Sequence, residues 1–198
     1  MTAEPLVLGF DTSAAHCAAA LLRGDSVLAE ALEPMARGQA ERLLPLLEEV
    51  LASAGCTWAQ LDAIGVGIGP GNFTGIRIAV SAARGLALGL EIPTVGVDGF
   101  EARATKDTLP AIPAPRDQVY AALPDQAPRL MPRQEAEDAA RGAGLAFAPE
   151  ASPAGLAEAI ARIAAARMGE DLAPPAPLYL RAADAAPSRD VPPQLIDG

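Results

Sequence analysis

The chain has 198 residues, 51% hydrophobic and 20% charged, enough for one medium domain or two small ones around a shared core. A formal net charge of −10 argues against a basic groove of its own for nucleic acid, and Lys106 as the only lysine beside many arginines reads as genome bias. Residues 1–10 lack the basic start and apolar run of a signal peptide, and no run approaches the roughly 18 apolar residues of a membrane span. A cytoplasmic protein with no membrane partner is expected.

Leu6 to Phe10 is a short apolar run ended by Asp11-Thr12-Ser13, a turn-forming trio. Cys17 to Leu22 and Val27 to Leu32 are two more, separated by the tight turn Arg23-Gly24-Asp25, so an antiparallel meander of three strands is predicted. Gln39 to Ala54 reads as a helix stopped by Gly55, with Pro45 either kinking it or opening a shorter one. Ala63 to Gly67 is a strand, Ile68 to Phe73 a glycine-rich loop, Thr74 to Leu90 a helix, and Thr94 to Val97 a strand. The fold class is therefore α/β. Its βββαβαβ order is that of the ribonuclease H-like lobe of actin-like ATPases, an analogy of fold from which no function follows.

Beyond residue 100 the texture changes: fourteen of the nineteen prolines lie there, which points to a reduced second lobe over 101–198 beside a first lobe over 1–100. Ala111 to Leu123 reads as a hairpin with Val119 and Tyr120 in a strand, restricted to sheet edges by its prolines. Ser152-Pro153 opens a helix to about Met168, and the tail from Asp184 is proline-rich and extended.

The candidate nucleotide or anion loop is Gly69, Gly71, Asn72, Thr74 and Gly75, where backbone N–H groups at a helix start are able to hold an anion. No Lys-Ser/Thr follows the glycines, so it is no P-loop, and Asn72 stands where a dinucleotide fingerprint needs a third glycine. The alternative is a structural turn in which Gly75 permits close packing. Asp11 has the place of a metal-organising acid in actin-like ATPases, but Ala14 and Ala15 follow it, which favours a turn or cap residue. His16, the only histidine, lacks a second histidine for a metal pair, and no Ser-His-Asp constellation assembles around it. Cys17 and Cys56 have no metal or redox spacing and read as structural thiols. Neither a catalytic group nor a metal site is expected.

Two helices carry more apolar surface than one side of burial needs. Leu43, Leu44, Leu46, Leu47, Val50 and Leu51 spread over an arc of roughly 160°, against the roughly 100° of a one-sided surface helix. In the next helix Ile76, Ile78, Ala79, Val80, Ala82, Ala83, Leu86 and Leu90 leave only the polar stripe Arg77, Ser81 and Arg84. Either these helices are sandwiched inside their own domain or a partner covers them. The candidate interface is Leu43, Leu46, Leu47, Val50, Ile76, Ala79, Val80, Ala83 and Leu86, and self-association into a homodimer is expected when no other partner is present.

Four stretches, LVLGFDTSAAHCAAALL, GQAERLLPLLEEVLASAG, GIGPGNFTGIRIAVSAARGLALGLEIPTVGV and PLYLRAADA, resemble the TsaB (YeaZ) family in order and spacing. The GPG-[SN]-FTG-hR segment is the most specific of them. The resemblance implies a non-catalytic, actin-like subunit of the bacterial machinery that makes threonylcarbamoyladenosine (t6A) in tRNA, beside the anticodon. It implies a heterodimer with the paralogue TsaD, which carries the transferase site, helped by the ATPase TsaE, with tRNA met through the complex. No cofactor of its own is expected, and the junction between partners is a candidate place for ATP or ADP. The paralogue's His-x-x-x-His metal positions fall on Gly99 and Arg103, neither of which replaces a histidine ligand. The chain departs from the family at Pro113-Ala114-Pro115-Arg116, where Asp-Ala-Arg is common. The alternative class is an actin-fold small-molecule kinase or ATPase using the Gly69–Gly75 loop.

Overall fold

A computed structural model describes residues 4–124, 126–147, 149 and 155–180. Strands β1 (Leu6–Asp11), β2 (His16–Arg23) and β3 (Ser26–Pro34) form the meander, followed by helix α1 (Gln39–Ser53), strand β4 (Ala63–Gly67), helix α2 (Phe73–Leu90) and strand β5 (Thr94–Val97). The five strands make one sheet in the order β3-β2-β1-β4-β5, antiparallel among the first three and parallel from β1 through β4 to β5. The predicted actin-like α/β order is the order observed.

Every residue of β1 is buried, as befits the central strand of a sheet covered on both faces, whereas edge strand β3 has none buried. On one face α1 and α2 close a core containing Leu8, Phe10, Leu43, Leu47, Ile64 and Ala79. Burying each such leucine contributes about 1.5–3 kcal/mol. Pro45 stands inside α1 on its exposed side rather than opening a shorter helix.

The opposite face is closed by helix α4 (Leu156–Arg167), whose Leu156, Ala157, Ile160, Ala161 and Ala164 pack on Val7, Leu22, Ala63 and Val95. The approach is close because the sheet offers glycines there. A Cβ on Gly9 would lie 2.5 Å from the Ala157 carbonyl oxygen, and one on Gly65 would lie 2.8 Å from that of Ile160. This corrects the boundary expected at residue 100, since the C-terminal helix completes the first lobe. The helix follows Gly155 in the left-handed region, while the predicted Ser152-Pro153 start and the tail from Asp184 lie outside the described residues.

The second lobe is smaller than expected. It holds β6 (Thr108–Leu109), β7 (Ala111–Ala114), β8 (Gln118–Ala121), β9 (Arg129–Pro132), helix α3 (Arg133–Gly142) and β10 (Ala146–Phe147). The predicted hairpin is β7–β8, with Pro113 on the outer strand of the order β7-β8-β9 and the turn at Arg116 and Asp117, both at positive φ.

One expectation from apolar run length is also corrected: α2, 18 residues at mean hydropathy 1.3, is long and apolar enough to cross a membrane by length and composition. It lies against β4 and β5 instead, and Arg77 and Arg84 within it would be costly in hydrocarbon.

Candidate functional site

The carboxyl ends of β1, β4 and β5 meet the glycine loop, the place where open α/β sheets hold ligands. Here the backbone of the β1–β2 turn packs against the loop. The Asn72 N–H donates to the Ser13 carbonyl at 2.6 Å, the Gly75 N–H to the Asn72 side-chain oxygen at 2.9 Å, and the Thr12 hydroxyl to the Gly75 carbonyl at 2.7 Å. A Cβ on Gly71 would overlap the Ser13 carbonyl oxygen, and one on Gly75 that of Thr12. The glycines are there for the β1–β2 turn to press against the loop. The Asn72 and Gly75 N–H groups are turned to protein acceptors, and Thr74 sits exposed in the first turn of α2.

Beneath the loop, Asp11 is 2% exposed. Its Oδ1 accepts from the Ser13 N–H at 2.9 Å and the Ser13 hydroxyl at 2.9 Å, and lies 2.8 Å from His16 Nε2. A Cβ on Gly67 would collide with its other oxygen, so a larger residue in β4 would displace the Asp11 carboxylate. The structure thus unites Asp11, Ser13 and His16, which sequence reading did not assemble, because their closeness depends on the bend from β1 into β2. The order is wrong for nucleophilic catalysis: the serine proton goes to the carboxylate, whereas activation needs it directed to the imidazole. The cluster is a buried pin. Asp11→Ala would leave three donors without their acceptor and is expected to cost about 3 kcal/mol, read as a lower urea midpoint. An unchanged midpoint would show that the pin contributes nothing.

Gly99 and Arg103, the positions that the resemblance set against a metal motif, bond to the chain itself. Arg103 Nη1 donates to the Gly99 carbonyl at 3.0 Å, and the Gly99 N–H to that of Gly69 at 2.7 Å. Burial pulls the Arg103 pKa down, opposed by the negative charge of Asp11. Among the described residues no three His, Cys, Asp or Glu side chains are grouped to hold a metal. Cys17, inert in this setting, has its thiol pushed up to about 11 by burial and by Glu33.

The docking helices need a correction. Leu43, Leu46, Leu47, Val50, Ile76, Ala79, Val80 and Ala83 are all buried in the chain's own core, and of the nine expected interface residues only Leu86 is half-exposed. The open surface is the other side of the same helices. A groove of about 500 Å³ runs between α1 and α2, lined by Leu44, Trp58, Ser81, Ala82, Gly85, Leu86, Gly89 and Leu90. Leu88 beside it is 82% exposed. Sequence reading counted Leu44 in the apolar arc but left it out of the candidate interface, and it did not single out Trp58 or Gly89. The signal was present in Ser81, Gly85 and Gly89, spaced i, i+4, i+8, which leave the α2 backbone bare on one side.

A family model described as "TsaD: tRNA N6-adenosine threonylcarbamoyltransferase" matches residues 33–126, the stretch holding α1, the loop and α2. An uncharacterized protein of Mycobacterium tuberculosis (strain ATCC 25618 / H37Rv) is 36% identical over 204 residues, covering 91% of this chain and 94% of that one. The tRNA threonylcarbamoyladenosine biosynthesis protein TsaB of Haemophilus influenzae is 35% identical over 58% of this chain and 51% of its own length. The solved YeaZ structure from Pseudomonas aeruginosa superposes at TM-score 0.54 with 34% identity, covering 64% of each chain.

The chain belongs to the TsaB (YeaZ) family.

It spans about half the length of the Haemophilus TsaB. A solved structure titled as an uncharacterized protein with similarity to peptidase YEAZ from Pseudomonas aeruginosa aligns over 89% of this chain and all of its own, at TM-score 0.67 and 27% identity. In this TsaB-family chain the serine, histidine and aspartate under the loop are arranged as a pin and lack the order peptide cleavage needs.

Proposed function

We propose that this chain serves tRNA threonylcarbamoyladenosine biosynthesis as a non-catalytic subunit, pairing with the paralogue TsaD through the α1–α2 groove. The observation that carries the reading is the groove itself. Two helices whose inner faces complete the core present a second apolar face, with Leu44 and Leu88 exposed, and all of it lies inside the region matched by the TsaD family model. The inward-turned loop donors and the buried pin support a role without its own chemistry. TsaE and tRNA would meet the assembled pair, and ATP or ADP would sit at the junction rather than in the loop. Without TsaD, the same face would pair two copies of the chain.

The kinase or ATPase alternative needs loop N–H groups facing a phosphate, and those of Asn72 and Gly75 face protein oxygens. Sedimentation velocity on the full chain mixed with TsaD tests the proposal. A new species heavier than either protein alone is expected; two independent boundaries at micromolar concentration would refute it.

A further inference from the structure

Six of the twelve arginines among the described residues have a carboxylate beside them. Arg42 meets Glu33 and Glu49, Arg129 meets Glu135, Arg162 meets Glu158, and Arg167 meets Glu101. Arg77 and Arg84 are among the six that do not. Both are exposed on α2, no acidic residue occurs between Phe73 and Leu90, and among the described residues neither has an ion-pair partner. Their stripe, continued by Ser81, borders the apolar groove.

Arg77 is also held. Its guanidinium lies 4.1 Å from the centre of the Phe73 ring, and its Nε donates to the Tyr179 hydroxyl at 2.9 Å. The two rings stack at 4.7 Å. Tyr179 comes from a C-terminal strap whose neighbours face the other way: Leu178 and Leu180 pack on Phe100, Ile112 and Tyr120, while the Leu178 N–H donates to the Ile68 carbonyl. The strap therefore ties the second lobe to the start of the docking helix. With Nε on the tyrosine hydroxyl, the two terminal nitrogens of this exposed side chain have no carboxylate within ion-pair distance among the described residues.

We propose that Arg77, oriented by Phe73 and Tyr179, is the anchor for an aspartate or glutamate side chain on the partner that covers the α1–α2 groove, with Tyr179 as its positioning residue. The inference rests on the docking reading above. A carboxylate accepts two parallel N–H bonds from such a fork, and a guanidinium already immobilised loses little further freedom on binding. On a chain of net charge −10, this acid-free stripe selects a partner with the opposite rim, an apolar helix edged by carboxylates.

The test measures TsaD affinity by titration calorimetry on full-length variants at two salt concentrations. Arg77→Gln is expected to weaken binding about tenfold or more and to flatten its salt dependence. Tyr179→Phe keeps the stacked ring but removes the hydroxyl, and should weaken binding about threefold, with no added loss in the Arg77→Gln background. Ala82→Arg, inside the groove, serves as the reference. If Ala82→Arg abolishes pairing while Arg77→Gln binds as the parent does, the anchor is wrong and the docking face stands. An equal loss from Tyr179→Phe with or without Arg77 would remove the positioning role. If neither Arg77→Gln nor Ala82→Arg changes affinity, the docking reading and the anchor fall together.

Discussion

Gly75→Ala is expected to cost about 3 kcal/mol or more, lowering the melting temperature by at least about 6 °C in a chain of this size. The added methyl would occupy the position of the Thr12 carbonyl oxygen, which is backbone and cannot swing aside as a side chain can. Retreat of the β1–β2 turn would break the Thr12 hydroxyl bond to the Gly75 carbonyl and the Asn72 bond to the Ser13 carbonyl. Gly85→Ala, on the same helix, should do the opposite. Nothing lies within 4 Å of its added methyl, and replacing a mid-helix glycine with alanine stabilises by about 0.5–1 kcal/mol. Thermal melts of the two variants thus separate a packed glycine from a free one. Equal melting temperatures would mean that the turn does not fill the loop.

Ala82→Arg is expected to leave the melt and the circular-dichroism spectrum unchanged while weakening TsaD pairing about a hundredfold or more. Ala82 is half-buried in the groove wall, so its side chain grows into open space in the free protein. In the complex the same guanidinium would be trapped against an apolar face without a partner, the costly case of an unpaired buried charge. Ala83, which helical counting alone would have chosen, is fully buried in the core. A bulky charge there would unfold the chain and report nothing about docking. Normal pairing by Ala82→Arg would place the interface elsewhere.

The first lobe was legible because its signals are local. Short apolar runs ended by Asp11-Thr12-Ser13 or Arg23-Gly24-Asp25 mark strands whose bounds the structure moves by one or two residues. The excess apolar arc of α1 and α2 was also legible, but its sidedness was not. A helix packed on a sheet uses its apolar side inward, and only the position of β1 and β4 decides which leucines those are. Leu43 and Leu47 went into the core, and Leu44 was left on the groove. Nor could the return of α4 to the first sheet be read from composition. Its cause is the bare backbone at Gly9 and Gly65, more than 90 residues upstream of the helix that uses it. The Asp11, Ser13 and His16 cluster was hidden for a similar reason, since residues five apart meet only when a turn folds one strand end over another.

The most direct measurement is a leave-one-out reconstitution of threonylcarbamoyl transfer to tRNA, read by nucleoside mass spectrometry. TsaD, TsaE, the adenylate-forming enzyme, ATP, threonine and bicarbonate are supplied, and this chain is omitted, added, or added as Ala82→Arg. The account predicts modification with the parent chain and little with no chain or with Ala82→Arg, while the chain alone modifies nothing. Equal modification in all three mixtures would contradict it.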